Sequence, residues 1–308
     1  MVNQVSTAKR KREIRKLLFY CGLIALPVLQ FVIFYIFVNI NSIILAFESY
    51  DTFTGKYSFA GLSNFGDVFK ELFTDATMMK KVGNSLIAFF FTMVIGISLS
   101  VLFSYYIYKK GKFSGIFKVV LFLPQIISTL ILVIIFKYFV EIAIPEIWLL
   151  ATGEKIQGLY SNPDSTFGTV LFFTLWVGFG TQVLMYVAAM YGINESMVEA
   201  AKIDGIGFLG ELWYITVPSI WPTISTFIVV GFANLFNNQL SLYSFGAKFV
   251  PDEIQTVGYH LYVNLLNNST KIAAWPKLAA MGLVLTIFIM PFVFGSKYLL
   301  NRFGPKED

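Results

Sequence analysis

Hydrophobic positions in this chain gather into six long runs that contain no Asp, Glu, Lys or Arg: 17–47, 82–108, 119–136, 165–194, 212–247 and 278–296. Each holds at least 18 residues, and an α-helix needs about 20 apolar residues to cross a hydrocarbon core. The pattern predicts an all-α integral membrane domain of six transmembrane helices over 17–303, with short tails at 1–16 and 304–308. Polar segments separate the runs. The 48–81 segment carries turn formers around Asp51–Gly55 and Gly61–Gly66, and Lys109-Lys110-Gly111-Lys112 makes a tight basic turn. The 141–166 segment holds Pro145, Gly153, Gly158 and Asn162-Pro163, all breakers of regular structure.

Composition leaves little room for a soluble domain, since 56% of residues are hydrophobic, 18% aromatic and only 13% charged. Charge placement gives orientation. With both ends inside, 14 of the 23 Lys and Arg fall on cytoplasmic segments and 9 on the longer outer ones, as the positive-inside rule requires. The net charge of +5 therefore reflects topology, and no nucleic-acid patch stands out. Lys9–Arg12, Arg15 and Lys16 ahead of the first run imitate a signal peptide, but that run is too long and lacks a small-residue cleavage site. It reads as a retained first span behind a mobile or headgroup-lying basic tail. Cys21 and His260 are each the only residue of their type, so neither a disulfide nor a metal framework is expected, and each reads as a packed or interfacial side chain.

The 192–218 segment departs from the charge rule, with Glu195, Glu199, Asp204 and Glu211 against Lys202 alone. Asn194 is placed to cap a short helix, on which Met197, Ala200, Ala201 and Ile203 supply the apolar positions. Gly205 and Gly207 allow a sharp turn, a second helix runs through Phe208, Leu209, Leu212 and Ile215, and Pro218 stops it before the membrane. Two short helices around a glycine turn make a knob fit for a groove on a partner.

Glu199-Ala200-Ala201, Gly205, Ile215, Val217 and Pro218 resemble the Glu-Ala-Ala loop of permeases in ATP-binding-cassette importers, with Val for the usual Leu. The loop also sits between the fourth and fifth spans, where that family has it. Ser42–Phe47 followed by Phe59-Ala60-Gly61-Leu62-Ser63-Asn64-Phe65, with Asn84-Ser85 before span two, is similar to the carbohydrate branch, although Tyr243–Tyr262 lacks that branch's Gly-Gly-Pro. The resemblance implies a type I permease fold in a bacterial cell membrane. It implies a second homologous permease, two cytoplasmic ATPase subunits that hold ATP and Mg, an extracytoplasmic solute-binding protein and a sugar substrate. It also implies that Glu199, Ala200, Ala201, Asp204, Gly205, Ile215 and Pro218 couple this chain to the ATPase.

The chain itself shows no P-loop, so ATP is expected on partners, with no cofactor of its own. Gly205-x-Gly207-x-x-Gly210 copies a dinucleotide fingerprint without the preceding strand that motif needs. No His/carboxylate or Cys/His cluster offers an enzyme site. Polar residues within the spans are costly in lipid and usually face the bundle or a wet cavity. Asn234, Asn237, Asn238 and Ser241 fall at i, i+3, i+4 and i+7, one helical stripe, with Gln239 beside it. Counting from Trp221, Asn237 stands about 24 Å up the span. Gln125, Ser128 and Thr129 after Pro124 form a smaller stripe in span three, and span four offers Thr174, Thr181 and Gln182, with Trp176 nearby. Amides, hydroxyls and aromatic faces suit a sugar, and also suit interhelical hydrogen bonding that merely fixes packing. The alternatives to a carbohydrate permease are an importer subunit for another solute or an ion-coupled secondary transporter. A polytopic enzyme lacks its catalytic cluster, and Lys137 lies near a span end otherwise unaccompanied, which argues against an ion-coupled route.

Overall fold

With no water in the hydrocarbon core, a crossing chain must satisfy its own backbone groups, and helices do so within one segment. The computed structural model, which describes residues 2–305 and side chains from Arg12 onward, follows that logic. Four helices are long and apolar enough to cross unbroken: Arg12–Ala46, Ala76–Tyr108, Pro163–Met190 and Ile272–Phe303. Two bent pairs, Ser114–Ile126 with Thr129–Thr152 and Phe208–Ser219 with Trp221–Ala233, bring the number to six when each pair is counted as one span. The end of the expected 304–308 tail lies outside the described residues.

The chain forms two compact units. The first comprises 1–68 and 270–284. Its first helix begins at Val2, so the backbone of the basic stretch is helical and runs on into the first apolar run. After Ala46 an antiparallel hairpin follows, β1 (Glu48–Asp51) and β2 (Lys56–Phe59), which the all-helical expectation had left as turns. The Asp51 carboxylate takes the Phe53 N–H and the Thr54 hydroxyl at 2.8 Å each, and these bonds hold its pKa below the usual carboxylate range. Gly55, with φ of +67°, closes the turn. The Gly61–Phe65 stretch anchors this hairpin: Asn64 Nδ2 donates to the carbonyls of Ala46 and Glu48 at 2.9 and 2.8 Å, and Phe65 meets Phe47 at 4.9 Å between ring centroids.

The second unit comprises 69–269 and 285–308. Its centre is Pro163–Met190, against which both Ile97–Tyr108 and Ser114–Ile126 lie. Small residues permit the close approach, as between membrane helices generally. Ser104 donates to the Val183 carbonyl at 3.0 Å, and Gly180 sits so near the Leu121 carbonyl that any Cβ would collide with it. A buried cluster of Leu132, Phe136, Val170, Phe173, Leu240 and Phe245 forms the main core. A second cluster, Val101, Tyr105, Tyr186, Met190, Leu212 and Ile224, lies under the Glu-Ala-Ala loop.

Two expected crossings are not straight. Span three turns by 109° between Ile126 and Thr129. Pro124 removes one backbone donor from the preceding turn, and Ile127 is extended at ψ of 140°; the proposed stripe of Gln125, Ser128 and Thr129 is thereby split. Pro145, expected to break the chain, lies instead inside the continuous helix Thr129–Thr152, just past the π-helical turn Phe139–Ala143, where the Val140 carbonyl accepts the Leu159 N–H at 3.1 Å. Span five stops at Ala233. Leu240 and Ser241 both have positive φ, 51° and 56°, so Asn234, Asn237, Asn238 and Ser241 do not form a helical stripe.

Candidate functional site

The Glu-Ala-Ala loop folds as its spacing dictates. Asn194 Oδ1 accepts the Ser196 N–H at 3.1 Å and starts the helix Glu195–Ile203, whose first-turn Glu195 favours the positive helix end. The helix ends in a Schellman motif. Gly205 donates to the Lys202 carbonyl at 3.1 Å and Ile206 to the Ala201 carbonyl at 2.9 Å. That motif needs a left-handed residue just past the cap, and Gly205 supplies φ of +75°. The distance from the second alanine to the glycine is thus the distance from the third-last carbonyl of the helix to the residue that reverses the chain. Asp204 is the capping residue itself, exposed.

The face of this helix differs from the expected one. Val198 and Ala201, 8% and 4% exposed, face inward. Met197, Ala200 and Ile203 are exposed, with Ile203 at 86%. Glu199 is exposed beside them, as are Phe208 and Leu209. The knob therefore presents an apolar patch edged by carboxylates, the usual form of a protein-docking surface. Ala201 and Ile215 are buried within the loop's own packing and cannot touch a partner directly. Pro218 is half-buried, and the chain bends 67° two residues later, at Ile220, between Pro218 and Pro222.

One contact here has no local sequence signal. Glu211, with its side chain 6% exposed, receives Lys109 Nζ at 2.8 and 2.7 Å, one bond to each oxygen. Tyr105 adds a hydroxyl bond to the Phe208 carbonyl at 2.9 Å and a ring contact with Phe208 at 4.6 Å. The second helix of the knob is latched to the end of span two.

A cavity of about 370 Å³ opens among spans two to five. Gln125, Gln182, Asn234 and Asn238 line it, joined by Thr174 and Thr181. Asn237, Gln239, Ser241 and Trp176 do not; Trp176 packs against Phe136 and Phe173 in the core. Sequence reasoning missed Ser85, Thr92, Thr256 and the small Gly96 and Gly231. Thr92–Gly96 is a π-helical turn, a wider coil often found at functional sites.

The unwound segment 234–241 is held by side chains acting on backbone. Asn234 Nδ2 donates to the Val230 carbonyl at 3.0 Å, and Asn238 Oδ1 accepts the Leu240 N–H at 2.9 Å. Thr256 Oγ1 donates to the Asn238 carbonyl at 2.8 Å, and Gly258 brings its backbone against Asn237. Non-helical backbone at membrane depth is tolerated where it lines a cavity or is buried in protein.

His260 lies in an ionic cluster rather than in plain packing. Lys81 Nζ is 3.2 Å from its Nδ1 and 3.2 Å from an Asp252 oxygen, Asn264 is 2.8 Å from its Nε2, and Glu71 stands at 3.6 Å. Burial first, then the Lys81 charge, lower the His260 pKa from 6.5 and outweigh Glu71 and Asp252. A depressed pKa means that stability is full above the unfolded value and declines as pH falls through the folded one. Thermal unfolding of the detergent-solubilised chain should therefore weaken below about pH 6.5, and His260→Gln should flatten that decline; an unchanged slope would exclude His260 as its source. Among the described residues, no group of three or more His, Cys, Asp and Glu could hold a metal.

Comparison with known proteins places this geometry. The chain is 27% identical over 272 residues to the arabinooligosaccharides transport system permease protein AraP of Bacillus subtilis, covering 85% of this chain and 82% of that one. It is 26% identical over 211 residues to the multiple sugar-binding transport system permease protein MsmF of Streptococcus mutans, covering 66% and 69%. A crystal structure of a bacterial ABC transporter involved in the import of the acidic polysaccharide alginate contains a chain with the same fold, at TM-score 0.76 and 18% identity, covering 95% of this chain and 98% of that one. A family profile described as the inner membrane component of binding-protein-dependent transport systems matches residues 92–307, which take in the Glu-Ala-Ala loop and the cavity wall apart from Ser85, Ala88 and Phe89, and the chain belongs to that family.

Proposed function

We propose that this chain is a transmembrane permease subunit of an ATP-driven, binding-protein-dependent carbohydrate importer. The observation that carries the reading is the Schellman-capped knob at the family's loop position, with an exposed acidic and apolar surface. Its terminal segments and the 192–218 knob face the cytoplasm in this reading. Two ATPase subunits, which bind ATP and Mg, grip the knobs of this chain and of a second homologous permease. Closure of the ATPases moves the knob, and the Lys109–Glu211 latch passes the movement to span two. An extracytoplasmic binding protein delivers the sugar, which moves through the cavity of spans two to five. Relatives named for arabinooligosaccharide transport and for multiple sugar-binding transport support the substrate class, as do the amides and hydroxyls of the cavity wall.

Affinity purification of the tagged chain should bring down a P-loop ATPase. Glu199→Lys reverses an exposed charge on the docking patch. Gly205→Asp forces a side chain into the left-handed region, at about 1–2 kcal/mol. Either variant should insert normally yet import sugar at least about tenfold more slowly, a barrier change of about 1.4 kcal/mol. Normal uptake by both would remove the coupling role.

A further inference from the structure

We infer that the cavity admits uncharged sugar units and rejects uronates, an inference that rests on the carbohydrate reading above and narrows its substrate class. Among the described residues, the wall this chain supplies contains no Asp, Glu, Lys, Arg or His. What it offers instead is a set of amide donors and acceptors, and the bonds already made decide which atoms remain.

Gln125 Nε2 donates to the Val177 carbonyl, and Asn234 Nδ2 donates to the Val230 carbonyl at 3.0 Å. A carbonyl accepts only, so each partner fixes its amide with nitrogen toward the backbone. The oxygens of Gln125 and Asn234 are left as acceptors. Asn238 is engaged the opposite way: its Oδ1 takes the Leu240 N–H at 2.9 Å, leaving its NH₂ group as a donor. Gln182 meets the Ser100 hydroxyl at 3.0 Å, and because a hydroxyl both donates and accepts, this amide can turn either end to the cavity. The cavity thus retains two fixed amide acceptors and one fixed amide donor, with the Gln182 amide and the Thr181 hydroxyl able to do either.

A sugar hydroxyl both donates and accepts, so it can satisfy either kind. An ionised carboxylate only accepts. Set against the Gln125 and Asn234 oxygens it meets lone pairs, and no cation is present in the wall to offset its desolvation. Phe89, Phe179 and Phe227 furnish apolar faces for sugar C–H surfaces. The fold shared with an alginate importer therefore does not carry over that importer's acidic substrate.

The test reads the cavity itself, without a binding protein to preselect the ligand. The purified permease–ATPase complex is titrated by saturation-transfer NMR with maltotriose, arabinotriose and raffinose, and separately with trigalacturonate. At least one neutral trisaccharide should bind, with trigalacturonate at least about tenfold weaker. Asn234→Arg, or Asn238→Arg should the first disturb assembly, should narrow that gap by about tenfold or more by adding a bidentate carboxylate partner. Trigalacturonate binding to the unmodified complex as tightly as the best neutral sugar would overturn the neutral class and leave the carbohydrate reading standing. Absence of binding by every sugar would overturn both.

Discussion

Lys109→Ala is expected to lower the stability of the chain by about 3–5 kcal/mol, the range for breaking a buried ion pair from one side. The substitution strands the Glu211 carboxylate, whose side chain is 6% exposed, among Leu212, Tyr105 and Phe208. Glu211→Ala should cost less, toward the lower end of that range, because Lys109 is 24% exposed and its ammonium can reach water. Replacing both, Lys109→Met with Glu211→Leu, should cost less than either single change, since no buried charge is then left alone. Thermal midpoints in detergent of the unmodified chain, the two alanine variants and their double-alanine combination give the coupling energy by a double-mutant cycle. If the Proposed function holds, the double variant should also be better folded than it is active, because the apolar pair restores packing without the rigid two-point bond between span two and the knob. A coupling energy below about 0.5 kcal/mol, the level of independent sites, would mean that the pair is no latch.

The sequence made the helices visible and hid their breaks. A charge-free run longer than a bilayer crossing looks the same whether the chain goes straight through or turns by 109°, as it does between Ile126 and Thr129. Pro124 was on view, yet a proline can equally sit inside a helix that continues, as Pro291 does in the last span. The Asn234–Ser241 stripe misled for a more specific reason. Periodicity assumes that side chains leave the backbone alone, and asparagine does not: Asn234 and Asn238 capture main-chain groups and stabilise the unwound form. The residues were well chosen as cavity polar groups where Asn234, Asn238, Gln125 and Gln182 are concerned, and the helix that was to present them was absent.

The knob shows the opposite balance. Its turn was legible because the Schellman geometry ties Ala201 to Gly205 at fixed spacing. Its buried face was not, because in the nine residues of Glu195–Ile203 apolar side chains point nearly all round and either face could be the inner one. Tertiary packing chose Val198 and Ala201 and left Met197 and Ile203 outside. The Lys109–Glu211 pair joins residues 102 apart, and neither has a neighbour in sequence that announces the other.

Gly258→Ala is expected to reduce sugar import at least about tenfold, a change of about 1.4 kcal/mol in the barrier, while the chain still reaches the membrane. A Cβ at this position would stand 2.6 Å from the Asn237 carbonyl carbon, 2.7 Å from its oxygen and 2.8 Å from the Asn238 oxygen. All three are backbone atoms, so no side chain can swing aside, and the unwound segment itself must shift. Overpacking of this kind costs about 1–3 kcal/mol, and the movement falls on Asn238 and the adjoining Asn234 at the cavity wall. Thr256→Val serves as the milder comparison. It deletes the 2.8 Å bond to the Asn238 carbonyl and the acceptor of the Tyr259 N–H, and should cost about 1 kcal/mol per bond without pushing on the segment. Uptake should therefore fall further for Gly258→Ala than for Thr256→Val even where their thermal midpoints agree. If import tracked the thermal midpoint alone, the unwound segment would be a structural joint with no part in passing the sugar.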